Sequence, residues 1–161
     1  MNGLLKMHNQ KLYAITLGLA GFTVIAALGP GLFGDTAYTN QWQYMIFKDL
    51  CHQDPTRSFN ISGVQMAVCA RCIGIYGAFL VGWLTMPIYG FFAKKGSAKE
   101  KYWLIAAILL NLIDVVGNYF GLWTNTHVLR LVLGGVLGWC LMALLANEFF
   151  TFNKSEYGYG Y

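Results

Sequence analysis

Four apolar stretches, each close to the length that crosses a lipid bilayer, constrain this sequence more than any other feature. A helix needs about 20 mainly apolar residues to span the hydrocarbon core. The stretches are Leu12–Phe33, Ala67–Phe92, Tyr102–Phe120 and Val128–Phe150. Charged residues make up only 11% of the 161 positions and hydrophobic residues 57%, whereas soluble domains are about 25% charged. The sequence predicts an all-α, polytopic membrane protein with four transmembrane helices in a single domain, residues 1–161.

The lysines predict which side of the membrane each loop faces. Seven of the eight lysines lie in the N-terminal segment, in the segment between the second and third stretches, and in the tail: Lys6, Lys11, Lys94, Lys95, Lys99, Lys101 and Lys154. Four spans place all three segments on one side, which the positive-inside rule makes cytoplasmic. We therefore expect a prokaryotic cytoplasmic (inner) membrane protein with both termini inside, an outer loop at 34–66 and a disordered tail at 152–161. No basic stripe points to nucleic acid, so the net charge of +4 reflects topology.

The outer loop contains a candidate short helix, Asn40–Cys51. Trp42, Met45, Ile46 and Leu50 fall on one face of it at helical spacing. Two interpretations remain open: a helix lying in the membrane interface, or a loop helix packed over the bundle.

The second span carries a start signal and a packing face. Ser62 and Gln65 read as a capping box, which predicts a helix from about Gly63 with Cys69 and Cys72 in its second and third turns. Small residues recur every fourth position further along this span, and twice in the fourth: Gly74, Ala78 and Gly82, then Gly134 and Gly138. Such faces allow two helix backbones to approach closely.

The third span contains a buried acid. Asn111, Asp114 and Asn118 lie on one stripe, and an acid inside the membrane normally faces a partner or water. An antiparallel register places Arg130 at the depth of Asp114, which predicts an ion pair between them. Its role is either a structural clamp or a proton or ion site. Arg71, Asn125 and His127 belong to the same outer level.

Three cysteines and a histidine near the outer face carry the candidate chemistry. Cys51-His52 and Cys69-Ala70-Arg71-Cys72 contain enough ligands for a Cys₃His metal site, with His52 or His127 as the fourth ligand. Zinc is the first choice, before iron. Cys140, midway along the fourth span, is predicted to be a small core residue.

Two other interpretations of the cysteines stay open. A C-x-x-C pair near a helix N-terminus, reinforced by Arg71, suits thiol–disulfide exchange with Cys51 as a third thiol and a lipid quinone as cofactor. Alternatively, one disulfide pins the outer loop to the second span, since spacing does not assign connectivity. No catalytic residue is assigned.

The same residues carry a family resemblance. Cys51-His52-Gln53, Arg57-Ser58-Phe59, the run Cys69–Tyr76 and the looser region from Asp114 to Gly134 resemble an uncharacterised family of prokaryotic integral membrane proteins, domain of unknown function 2085. The resemblance extends from Cys51 to about Gly138. It implies a polytopic membrane protein and associates Arg57 and Ser58 with the cysteines.

A set of polar residues near the thiols is predicted to bind a cofactor: Arg57, Arg71, Asp114, Asn118 and Arg130. For Arg57, two roles stay open: it neutralises thiolates, or it binds an anion. Four spans in 161 residues would need a homo-oligomer or a larger membrane complex to form a transport path. The lipid bilayer is the one partner that the composition itself implies.

Overall fold

The computed structural model describes residues 10–32, 41–92 and 99–149, and most of these are helical. Five α-helices occur in this part of the chain: α1 (Gln10–Leu28), α2 (Gln41–Phe47), α3 (Ala70–Phe92), α4 (Lys99–Tyr119) and α5 (His127–Phe149). Two short 3₁₀ turns, Pro30–Leu32 and Pro55–Arg57, and a small antiparallel hairpin of β1 (Asn60–Ile61) and β2 (Val64–Gln65) complete it. The helical fold class is confirmed; the predicted disordered tail lies outside the described residues.

Three of the helices are long and apolar enough to cross a membrane. These segments are Gln10–Leu28, Lys101–Tyr119 and His127–Leu145, and they match the first, third and fourth predicted spans. The second predicted span forms α3. The part of α3 whose side chains are described, Ala70–Met86, is apolar but shorter than the three spanning segments.

The first helix ends at Leu28, just before a glycine and a proline, residues that commonly stop a helix. Gly29 has a φ of 79°, a conformation that favours glycine, and Pro30 follows it. A side chain at Gly29 would overlap the backbone nitrogen of Ala67, and one at Gly31 would overlap the carbonyl of Ile61. The end of α1 therefore packs directly against the hairpin and the segment that leads into α3.

The predicted capping box is wrong. Ser62 and Gly63 have φ values of 52° and 81° and form the turn of the hairpin, in which both central residues take positive φ. Gln65 belongs to β2, and its side-chain amide donates to the backbone carbonyl of Gln53 over 2.7 Å. Local turn geometry and this longer-range hydrogen bond override the capping pattern.

Helix α3 consequently begins later than predicted. The N–H of Ile73 donates to the carbonyl of Cys69 over 3.1 Å, so Cys69 occupies the N-cap position and Cys72 lies in the first turn. The two cysteines thus stand at the helix end, not in its second and third turns.

Helices α3 and α5 form a closely packed parallel pair. Added side chains at Gly74, Gly134 and Gly138 would overlap the backbone carbonyls of the facing helix, from Leu131, Arg71 and Ile75 respectively. Residue numbers rise together along the two helices, so their N-termini lie at the same end. The glycine faces are packing surfaces, as predicted.

Helix α1 packs against α3 through an aromatic contact. The rings of Tyr13 and the fully buried Trp83 stack with centroids 5.7 Å apart. The Tyr13 hydroxyl donates to the carbonyl of Trp83 over 3.0 Å, and the Trp83 indole donates to the carbonyl of Tyr13 over 3.2 Å.

The short helix α2 exposes its apolar face. Gln43 and Phe47 are buried against the protein. The four apolar residues of the predicted face are exposed: Trp42, Met45, Ile46 and Leu50. That orientation is the reverse of a loop helix that packs this face over the bundle.

Candidate functional site

Three thiols meet at the start of α3. The sulfur atoms of Cys51, Cys69 and Cys72 all lie within 4.8 Å of one another, and those of Cys69 and Cys72 are 3.5 Å apart. Cys51 is buried, and the other two are partly buried. We call these three residues the thiol cluster. Cys140, on α5, is not a member of it.

A glutamine holds Cys51 over the helix end. The side-chain amide of Gln53 donates to the carbonyl of Tyr44 in α2 over 2.7 Å and to that of Ala67 over 3.1 Å. The hydroxyl of Tyr44 donates to the carbonyl of Gln65 over 2.6 Å. These bonds tie α2 to the segment before α3, which brings Cys51 to the other two thiols. Gln53 follows Cys51 and His52 in the sequence motif, but its residue type and position give no sign of this role.

The groups around Cys69 favour the thiolate form of its side chain. The backbone N–H of Cys69 donates to the sulfur of Cys51 over 3.1 Å. Hydrogen bonds with the thiol of Cys51, and then with that of Cys72, hold the pKa of Cys69 well below its ordinary value. The N-terminus of α3 adds a partial positive charge beside the sulfurs. These interactions favour the thiolate form of Cys69.

Neither candidate histidine joins the thiol cluster. In the described ranges, the group of closely spaced ligand atoms contains the three sulfurs and no histidine nitrogen. His52 is exposed, although it lines the same cavity as Cys51. The ring of His127 packs 5.4 Å from that of Phe59, and its Nδ1 is buried with no hydrogen-bond partner.

The predicted Asp114–Arg130 ion pair is wrong. Asp114 instead forms a salt bridge with Arg71, in the first turn of α3. Asn125 donates to the same carboxylate over 2.5 Å, and the Trp123 indole donates to it over 3.4 Å. Arg130 donates to the side-chain carbonyl of Asn118 over 3.4 Å. The prediction considered only the neighbouring pair α4 and α5, whereas the partner comes from α3.

The antiparallel register behind that prediction is nevertheless sound. The side-chain amide of Asn111 in α4 donates to the backbone carbonyl of Leu133 in α5 over 3.1 Å. The two residues lie at the matching depth that the register requires. Depth alone did not identify the partner, although Arg71 was expected at the same outer level as Asp114.

A cavity of about 390 Å³ lies beside the thiol cluster. All three cysteines line it, together with His52 and a set of polar residues: Asp54, Arg57, Arg71, Asn118 and Arg130. Four of the five residues predicted to bind a cofactor therefore share one cavity with the thiols. The fifth, Asp114, is salt-bridged to one of them, Arg71.

Comparisons with known proteins place the chain among uncharacterised membrane proteins. The sequence profile of the DUF2085 family, described as "Predicted membrane protein", matches residues 51–144. The uncharacterized protein MJ1492 of Methanocaldococcus jannaschii is 38% identical over 109 residues, which cover 66% of this chain and 68% of that protein. An uncharacterized protein of Methanothermobacter thermautotrophicus is 33% identical over 92 residues, 56% of this chain and 78% of that protein. No solved structure matches the chain.

Proposed function

Because the chain belongs to the DUF2085 family of predicted membrane proteins, we propose that it is a four-span protein that binds a metal ion at the outer face of the cytoplasmic membrane. Cys51, Cys69 and Cys72 are the proposed ligands, and zinc is the preferred ion, before iron. The observation that carries this proposal is the convergence of three sulfur atoms from two separate segments within 4.8 Å.

The count of four spans rests on α3. This helix has 23 residues, which corresponds to about 35 Å and so to the thickness of a hydrocarbon core. It packs in parallel against α5, which is itself long enough to span. A partner of equal length that shares its direction supports a common depth for the two helices.

The outer location of the thiol cluster rests on the lysine distribution and on α2. The lysine-rich segment lies at the opposite end of α3 from the thiols. The exposed apolar face of α2 supports a helix that lies in the outer interface, with Trp42 at the level of the lipid headgroups.

The sulfur geometry suits a tetrahedral ion. With zinc–sulfur bonds of about 2.3 Å, neighbouring sulfurs lie about 3.8 Å apart. The observed separations, 3.5 Å for Cys69 and Cys72 and up to 4.8 Å for the trio, need only small adjustments. Three protein ligands leave one position for water or another small ligand. That pattern favours a site that handles a metal or solute over a closed structural site.

Metal content and thiol chemistry test the proposal. We expect the full chain, purified in mild detergent, to contain about one metal ion per chain and to release alkylatable thiols only after chelation. Cys51→Ser should lose the ion, and Cys140→Ser is the matched control that should keep it. Metal-free wild-type protein, or equal metal in both variants, would contradict the proposal.

A second candidate function is thiol–disulfide exchange, favoured by the 3.5 Å separation of the Cys69 and Cys72 sulfurs at a helix N-terminus. Forming that disulfide would release two electrons and two protons, which a lipid quinone would accept to become a quinol. Metal-free protein with a Cys69–Cys72 bond that a quinone restores after reduction would support this candidate. A disulfide between Cys51 and Cys69 or Cys72 that does not react with quinone would instead indicate a pinned outer loop.

A further inference from the structure

The cavity beside the thiol cluster is also an electropositive site. Three guanidinium groups line it from three separate segments: Arg57 from the second 3₁₀ turn, Arg71 from the start of α3 and Arg130 from the first turn of α5. We propose that this cavity binds the phosphate group of an anionic ligand, either free phosphate or a lipid headgroup. The proposal goes beyond metal binding and does not depend on it.

Pairing leaves one arginine without an acidic partner. Arg57 forms a salt bridge with Asp54 over 3.2 Å, and Arg71 forms one with Asp114. In the part of the chain that the structure describes, Arg130 has no carboxylate within salt-bridge distance, and its hydrogen bond goes to the neutral amide of Asn118. A partly buried guanidinium in that state favours an anion, because removing charge from water is costly without a counter-charge.

The N-termini of two helices add to the positive charge around the cavity. The parallel α3 and α5 both begin at this end, at Ala70 and His127, and each N-terminus is equivalent to about half a positive charge. A divalent ion held by three thiolates carries one negative charge. The three arginines, the two carboxylates paired with them and the two helix N-termini together carry about two positive charges. About one positive charge would therefore remain uncompensated around the cavity with that ion bound.

The arginines select for an oxyanion over a spherical anion. A guanidinium presents its N–H donors in a planar fork that matches phosphate oxygens. The Nε of Arg71 is buried and has no hydrogen-bond partner among the described residues, which leaves a donor for a ligand oxygen. A volume of about 390 Å³ exceeds that of a phosphate ion and admits the group that carries it.

The residues that line the cavity also explain why a lipid headgroup is one of the two proposed sources of the phosphate group. Leu50 and Tyr119, exposed over 70% and 84% of their surfaces, contribute apolar area to the cavity lining. In a membrane these side chains would meet lipid, so a headgroup can enter from the bilayer while free phosphate enters from water.

Thermal unfolding of the full chain tests the site in two arms. One arm adds inorganic phosphate to the protein in detergent, with chloride at equal ionic strength as reference. The other compares the protein reconstituted into vesicles of phosphatidylglycerol and of phosphatidylcholine, in phosphate-free buffer. We expect stabilisation in at least one arm, and the responding arm identifies the source. Both arms are run with chelator and with zinc, so loss of metal binding leaves the anion result readable.

Variants decide whether the response comes from the cavity. Arg130→Gln should reduce the thermal stabilisation at least about tenfold. Arg130→Lys should restore part of it, because lysine returns the positive charge without the planar N–H donors of a guanidinium. Lys48→Gln removes an exposed charge outside the cavity lining and should respond like wild type. No response of the wild type in either arm, or an equal response of Arg130→Gln and Lys48→Gln, would overturn the proposal.

Discussion

At the scale of single residues, the sequence predicted which cysteines lie together better than it predicted the partner of Asp114. Cys51, Cys69 and Cys72 come together, as their types and spacing suggested. Asp114 was expected to need a cation, but the choice between Arg71 and Arg130 depends on how three helices meet. Sequence periodicity describes one helix at a time, so it does not contain that information.

The partner of Asp114 has a measurable signature. In double-mutant cycles, Asp114→Asn should couple to Arg71→Gln by about 1–3 kcal/mol and to Arg130→Gln by less than about 0.5 kcal/mol. The reason is that only Arg71 shares a salt bridge with the carboxylate. Unfolding free energies of the purified variants in detergent measure both couplings. A larger coupling to Arg130 would restore the original prediction.

At the scale of elements, the ends of the helices were harder to predict than their bodies. The stop of α1 followed from Gly29 and Pro30, because their backbone preferences act locally. The start of α3 did not follow from Ser62, because the hairpin competes for the same residues. That error moved Cys69 and Cys72 by about two turns, and it matters because the helix N-terminus acts on the thiols.

The close approach of α3 and α5 gives a prediction at the same scale. Gly138→Ala would drive a methyl group into the carbonyl of Ile75 and should destabilise the protein by about 1–3 kcal/mol. Gly77→Ala is the matched control, since a side chain there meets nothing within 4 Å. It should be neutral or stabilising by up to about 1 kcal/mol. Unfolding in denaturing detergent compares them, and equal stabilities would contradict the close packing.

At the scale of the whole molecule, composition predicted a helical membrane protein because a chain with so few charges has no means of covering a water-facing surface. Three helices of spanning length bear this out. The arrangement around the thiol cluster did not follow from composition. It depends on Gln53 joining α2 to the segment before α3, through hydrogen bonds that composition does not encode.

Sidedness is the prediction that belongs to the whole molecule. In intact cells, Thr56→Cys should react with a membrane-impermeant maleimide, whereas Ser97→Cys, in the lysine-rich segment, should react only after permeabilisation. Labelling is compared with the parent protein to account for its native thiols. The reverse pattern would place the thiol cluster on the cytoplasmic side.

The pairing of Asp114 with Arg71 has a consequence for biosynthesis. Arg71 precedes Asp114 by 43 residues, so the ribosome has already made the cation when the acid emerges. A pairing with Arg130 would have left the carboxylate waiting for a later helix, at the stage when an unpaired acid in a membrane segment is most costly. The order of the two residues in the chain lets α4 meet its counter-charge as soon as it is synthesised.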